Sequence, residues 1–277
     1  GVTMRWHHVL LRLYPRWLVG ALGIGATTAV VAVTDHVLVR PLPFPSASRL
    51  VRLYQDQSFR GYSRMELSPP NFGDWRRESR SFSGMAAYST FSFNLVGKGD
   101  PLRLDGVMAT SDMFAGLGVS PLLGRSLTRI DDQPSSPLTM VMSYRLWTTA
   151  FGGRPDVLGQ SVTLNDDSYV VVGVMPPQFS FPSRETPFWV PLRMTGDLMA
   201  DRANWFLNVI ARLADGTTIE QARAELGGIA AQLSRAYPDT DALNGATVIH
   251  LRDEVSANGR LLLWALHNQW VSGDLSE

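Results

Sequence analysis

Residues 205–251 read WFLNVIARLADGTTIEQARAELGGIAAQLSRAYPDTDALNGATVIHL, and this stretch decides the fold. Trp205–Leu213 is rich in branched apolar residues and ends at Ala214-Asp215-Gly216, the pattern of a strand running into a turn. Ile219, Ala222, Leu226, Ile229, Leu233 and Tyr237 then recur at helical spacing, which predicts a helix over 218–237 with Pro238 as its stop. Thr217 and Glu220 are spaced for a capping box at its start. Leu226, Ile229 and Leu233 fall on the face to be buried, and Arg223, Gln232 and Arg235 point away from it. Thr247–Leu251 resumes as a strand. Strand, helix and strand make a β-α-β unit, a sheet with a helix packed on one face.

Upstream, strands outnumber helices. Leu50–Tyr54, Met85–Leu95, Leu102–Thr110, Thr139–Ser143, Ser161–Leu164 and Tyr169–Val174 have strand composition. Turns are expected at Gly97–Asp100 and at Asn165-Asp166-Asp167-Ser168. Two short helices are expected, Pro69–Arg77 with Ser68 as N-cap and Tyr144–Ala150. Some two hundred residues of ordinary globular composition can bury one sizeable core. The formal net charge is zero, so neither nucleic acid nor an anionic surface is implied as a partner.

The search for chemistry returns little. Of five histidines, only His250 falls in the globular body, so a Ser-His-Asp triad would rest on that residue alone. A zinc site has neither cysteines nor clustered histidines to draw on. Asp131-Asp132 and Asp166-Asp167 read as solvated turn carboxylates. Residues 118–126, GVSPLLGRS, have five residues between the glycines, Arg125 in place of lysine, and Pro121 removing an amide, so they make no phosphate loop. Catalytic, cofactor-binding and metal residues are therefore expected to be none, and the body is expected to fold without metal, nucleotide or disulfide.

Further toward the N-terminus stands WLVGALGIGATTAVVAVTDHVLVRPLPFP, residues 17–45. No charge interrupts Trp17–Val33. At about 1.5 Å per residue a helix over 17–39 reaches roughly 34 Å, enough for a hydrocarbon core of about 30 Å. A cleaved signal would be shorter and end in small residues, and a core helix would show a polar face. Gly20, Gly23 and Gly25 are the small residues that let membrane helices approach closely, and they lack the strand-turn-helix context of a dinucleotide site. Arg5, Arg12 and Arg16 on the first flank place the N-terminus in the cytoplasm and residue 40 onward outside.

Between these landmarks a series of motifs is similar to the N-terminal part of an ABC-transporter permease of the MacB-like/FtsX-like type, in particular its duplicated orphan-permease subgroup. The carriers are Ala21-Leu22-Gly23-Ile24-Gly25-Ala26, Val37-Leu38-Val39-Arg40-Pro41-Leu42-Pro43-Phe44, Ser68-Pro69-Pro70-Asn71-Phe72-Gly73-Asp74-Trp75-Arg76 and Ser81-Phe82-Ser83-Gly84-Met85. They continue with Phe114-Ala115-Gly116-Leu117-Gly118-Val119, Pro121-Leu122-Leu123-Gly124-Arg125, Ser143-Tyr144-Arg145-Leu146-Trp147, Val157-Leu158-Gly159-Gln160, Val171-Val172-Gly173-Val174-Met175-Pro176, Phe179-Ser180-Phe181-Pro182 and Trp189-Val190-Pro191-Leu192. Each is weak alone; together, in this order over roughly 18–255, they are specific.

The resemblance implies an α+β protein: one N-terminal transmembrane helix (17–39) after a cytoplasmic segment (1–16), then a two-lobed mixed α/β extracytoplasmic core domain (46–252). A porter-like α/β lobe would combine 46–95 with 200–252, and an inserted β-rich lobe would occupy 100–195. Residues 253–277 depart from the family's second membrane helix and read as a truncated or atypical segment, so the chain is expected to be a permease fragment. The resemblance further implies residence in a bacterial inner membrane and no enzymatic activity. The implied partners are a separate ABC ATPase subunit, a second permease protomer or half, the lipid bilayer, and a periplasmic adaptor or substrate, with no nucleic acid. The competing expectation is a membrane-anchored extracytoplasmic binding or hydrolytic domain.

Overall fold

The structure, a computed structural model, describes residues 42–96 and 101–255. The expected span 17–39, the segments 1–16 and 256–277, and the expected turn at 97–100 lie outside the described residues. Among the described residues no helix is long and apolar enough to cross a membrane.

The chain begins with β1 (Leu50–Gln57), β2 (Tyr62–Met65), α1 (Pro69–Glu78), β3 (Phe82–Val96) and β4 (Leu102–Ala109). It continues through α2 (Asp112–Leu117), β5 (Leu123–Gly124), β6 (Thr139–Met142), α3 (Tyr144–Phe151), β7 (Ser161–Leu164), β8 (Asp167–Val174) and β9 (Phe188–Pro191). It closes with α4 (Gly196–Ala200), β10 (Asn208–Leu213), α5 (Ile219–Ala236), α6 (Pro238–Asp241) and β11 (Gly245–His250).

β10 and β11 are not neighbours. β1 lies between them, antiparallel to both, so the β-α-β unit around α5 is split. The same holds for β1 and β3, joined through α1 and separated by β10. The order β11-β1-β10-β3 is thus two interlocked split β-α-β units, with both helices on one face. That face is the core of Val51, Leu53, Met85, Ala87, Val209 and Ala211, covered by Phe72 and Trp75 of α1 and Leu226, Ile229 and Leu233 of α5. Burying each of those aliphatic side chains contributes about 1.5–3 kcal/mol.

β3 then leaves this layer and continues elsewhere. Its first half pairs with β10, its second half with β4, and its end with β7. From β4 the pairing runs through β9, β6 and β8 to β7 and back to β3, a closed six-stranded ring with no free edge. Phe93, Leu95, Met140, Met142, Val162, Leu164, Val171 and Phe188 pack together in it, with Leu146, Trp147 and Phe151 of α3.

Several boundaries differ from expectation for local reasons. The capping box is formed by Thr218 and Gln221, because Thr217 is still in the turn, its amide bonded to Ala214 O. Pro238 starts α6 at a position where its missing N–H costs nothing. The β7–β8 turn has two residues, since Leu164 already pairs with Asp167 and Asn165 takes the left-handed conformation at φ +54°. Leu251 is the first residue of a helical run, 251–255, rather than the last of a strand. Arg223 is held by a bond from its Nε to Val248 O at 3.0 Å and does not point free.

Candidate functional site

The motif at 68–75 is built residue by residue. Ser68 caps α1, its Oγ accepting from Asn71 N at 3.4 Å, and the two prolines fill positions whose amides would have no partner. Phe72 and Trp75 enter the core. Asn71 donates to Gln55 Oε1 at 2.9 Å and to Asp241 Oδ1 at 2.8 Å. Asp74 accepts from Arg202 Nη2 at 2.6 Å, and the Arg202 guanidinium lies 3.6 Å from the Tyr237 ring centre. This buried network fastens α1 to β1, to α6 and to the loop before β10.

On the opposite face of the sheet the chain enters and leaves. Phe44 packs edge-on against Phe179 and Phe181 in one cluster with Leu50, Ile210, Trp189 and Leu251. The incoming backbone is held by Arg212, which donates from Nη1 to Pro45 O at 2.9 Å and to Ser46 O at 3.1 Å, and from Nε to Gly116 O at 3.0 Å. The outgoing helix is held through Glu254, which accepts from Tyr54 Oη at 2.7 Å and from Arg64 Nη1 at 3.4 Å. Burial, and next the Glu254 carboxylate, push the Tyr54 hydroxyl up. Arg52 lies over the Tyr54 and Tyr88 rings and donates to Tyr88 Oη at 2.7 Å. Both ends of the body are therefore seated on one face by aromatic packing and charge-assisted hydrogen bonds.

Beside Arg212 opens a cleft of about 380 Å³. Arg76 from the last turn of α1, Asp112 from α2, Arg129 and Arg212 line it, above Gly84 and Gly116. Arg76 pairs with Asp112, and Arg129 Nε stands 4.0 Å from the same carboxylate.

The residues weighed for chemistry scatter. His250 lies on β11 opposite Val51 and has no side-chain hydrogen bond among the described residues. Asp166 and Asp167 are exposed in and beside their turn. In the 118–126 loop the Leu122 and Arg125 amides donate to Val174 O and Val172 O, so they are consumed by pairing with β8. Among the described residues no group of His, Asp and Glu could hold a metal ion. Asp131, expected in solvent, is instead 3 % exposed. It accepts from Arg125, Thr128 and Thr139, and Arg193 Nε donates to its carbonyl. Burial works to raise this carboxyl, yet Arg125 and the two threonines outweigh it and hold it at about 2. The Thr128-x-x-Asp131 spacing was the local signal for this turn. Arg212 was signalled by a charge at an inward position of β10, in phase with Ile210.

This pairing of a split β-α-β layer with a closed strand ring is the fold of known permease domains. A domain of a candidate permease protein from Porphyromonas gingivalis matches with a TM-score of 0.58 at 16% identity, over 75% of this chain and 93% of that one. The periplasmic region of MacB from Actinobacillus actinomycetemcomitans matches at 0.54 and 14%, over 76% and 92%. The extracellular domain of the noncanonic ABC-type transporter YknZ from Gram-positive bacteria matches at 0.51 and 12%, over 72% and 99%. No curated protein matches the chain. The family model of the MacB-like periplasmic core domain matches residues 18–229. The chain belongs to that family, whose periplasmic domains are components of ABC-transporter permeases and not enzymes.

Proposed function

We propose that the chain is the permease component of an ABC transporter in a bacterial inner membrane, its N-terminus cytoplasmic, and its extracytoplasmic body passing membrane-helix movement to a substrate or partner protein. Residues 17–39 form the transmembrane helix in this reading. A separate ABC ATPase subunit supplies the energy, and a second permease protomer or half completes the pathway. A periplasmic adaptor or the substrate meets the body. The lobe division into 46–95 with 200–252 and 100–195 is supported by the separate packing of the α1–α5 layer and of the strand ring.

The observation that carries the coupling role is the common seat of the two ends of the described body. Phe44 and Leu251 share one buried cluster, and Arg212 and Glu254 clamp the flanking backbone and helix. A pull on either end reaches a closely packed body instead of being absorbed by slack.

The test uses vesicles holding the chain with its ATPase subunit and second permease half. A spin label at Ile130→Cys, an exposed site in a chain without native cysteine, should change its spectrum on adding ATP and magnesium. Phe44→Ala with Arg212→Gln should abolish that response while ATP hydrolysis continues. A label indifferent to ATP in the parent protein, or one still responding in the double variant, refutes the coupling role.

A further inference from the structure

Three guanidinium groups from three different elements converge on the cleft beside Arg212, against one carboxylate. With Arg76, Arg129 and Arg212 against Asp112, the lining carries a formal charge of +2. Arg129 is 82 % exposed and has only the 4.0 Å approach to Asp112 as an ion pair, so its donors are available. Arg212 Nη2 is buried and lacks a hydrogen-bond partner among the described residues, although Nε and Nη1 of the same group are spent on three carbonyls. Burial, and next the nearby Arg49, make that guanidinium harder to keep protonated, a cost that an anion in the cleft would relieve. A Cβ placed on Gly84 or on Gly116 would meet nothing within 4 Å, so both glycines border open space.

We propose that this cleft binds a phosphoryl oxyanion, either free in solution or as the headgroup of an anionic lipid. Planar forked donors match the oxygens of a phosphoryl group, and arginine is the side chain suited to that recognition. The volume lies at the low end of small-ligand sites and holds a headgroup, not a large metabolite. An anion there lies against the exposed Arg129 guanidinium and the wall to which Arg76 and Arg212 contribute. Ser79 and Ser83 on the wall already donate their hydroxyls to the carbonyls of Trp75 and Arg212, so the arginines are the donors the cleft offers. Binding stands by itself and does not depend on the coupling role.

The test is thermal unfolding of the full chain. In neutral detergent, sodium phosphate should raise the melting temperature saturably over sodium chloride of equal ionic strength, as a ligand of the folded state must. In phosphatidylcholine nanodiscs, including phosphatidic acid should produce the rise without added phosphate if the headgroup is the ligand, and should leave the phosphate response unchanged if the free ion is. Arg76→Gln with Arg129→Gln should weaken binding about tenfold or more, since two charged donors are lost. Asp112→Asn should tighten it by removing the competing carboxylate. Gly116→Leu fills the cleft from a helix where its Cβ has room, so it should fold at least as well as the parent and lose the response. No saturable rise with either phosphate or phosphatidic acid, or a rise that survives in Gly116→Leu, overturns the proposal.

Discussion

Replacing Asp131 with asparagine removes one charge and little volume, and so isolates what that buried carboxylate does. It receives Arg125 Nη1 at 2.7 Å and Nη2 at 3.0 Å, Thr128 N and Oγ1 at 2.7 Å each, and Thr139 Oγ1 at 3.0 Å. Asparagine can still accept from Thr128, but its amide turns N–H against Arg125 or Thr139. Charge-assisted hydrogen bonds net about 1.5–3 kcal/mol each, and these share a single charge, while Arg125 is half exposed and can rehydrate. The expected loss is therefore about 2–4 kcal/mol at neutral pH.

The same charge fixes a pH signature. The carboxyl sits at about 2 in the fold, below its value of about 3.9 in an unfolded chain. A depressed carboxyl stabilises the fold fully above the unfolded value and loses that contribution as pH falls through about 4 toward 2. With Arg125 half in solvent, the titrating part amounts to about 1–2 kcal/mol. Urea unfolding of the detergent-solubilised chain, followed by tryptophan fluorescence, should give a gap between parent and Asp131→Asn that is constant from about pH 7 to about pH 5 and narrows below about pH 4. A gap that does not narrow in acid refutes the ionised hub. So does a neutral-pH gap under about 0.5 kcal/mol, the range of ordinary surface changes.

Leu226→Ala and Leu233→Ala should each cost about 2–5 kcal/mol in urea unfolding, as large-to-small core changes do, whereas Arg235→Ala should cost under about 0.5 kcal/mol; equal costs would contradict the burial of one helix face. Gly106→Ala would place a Cβ 2.1 Å from Phe188 Cε2 and should cost about 1–3 kcal/mol by overpacking, visible as a lowered unfolding midpoint. A fusion reporter active only outside the cytoplasm, placed at residue 100, should be active in the parent and silent in Leu22→Arg with Val30→Arg. Each mid-span arginine costs about 2.5–3.5 kcal/mol on insertion, and a reporter that stays cytoplasmic in the parent contradicts the topology.

Local chemistry was legible in the sequence and long-range pairing was not. Ser68 as a cap, the helix after it, and the buried Leu226, Ile229 and Leu233 all follow from interactions within a turn or two of the chain. The strand pattern of 85–95 told of a strand, but period-2 alternation carries no information about which neighbour it meets. β3 therefore hid its change of partners, and β10 and β11 hid the insertion of β1 between them. Asp131 misled for a related reason. An Asp-Asp pair in a turn sequence reads as solvated, and two of the groups that bury and satisfy it, Thr139 and Arg193, lie on other elements. Phe188–Pro191, buried at every position, shows no alternation and ends in proline, so it offered a motif but no strand signal.

Arg212 links the two readings of this molecule. Its position on β10 places it in phase with Asn208 and Ile210, on the face away from α1 and α5, where a long cation would ordinarily be costly to bury. The cost is offset because the guanidinium meets three carbonyls, two of them on the incoming segment. Lysine would bring the charge and three donors on one nitrogen, but not the two separated nitrogens of a planar fork that reach Gly116 O and the Pro45 and Ser46 carbonyls. The side chain that fastens the incoming backbone also forms part of the cleft wall, and its remaining nitrogen is without a partner among the described residues. An anion bound there would draw on the same guanidinium that holds Pro45 and Ser46. On the proposed reading, an anion in the cleft would sit beside the one guanidinium that also fastens the incoming segment, with no relay of intervening residues required.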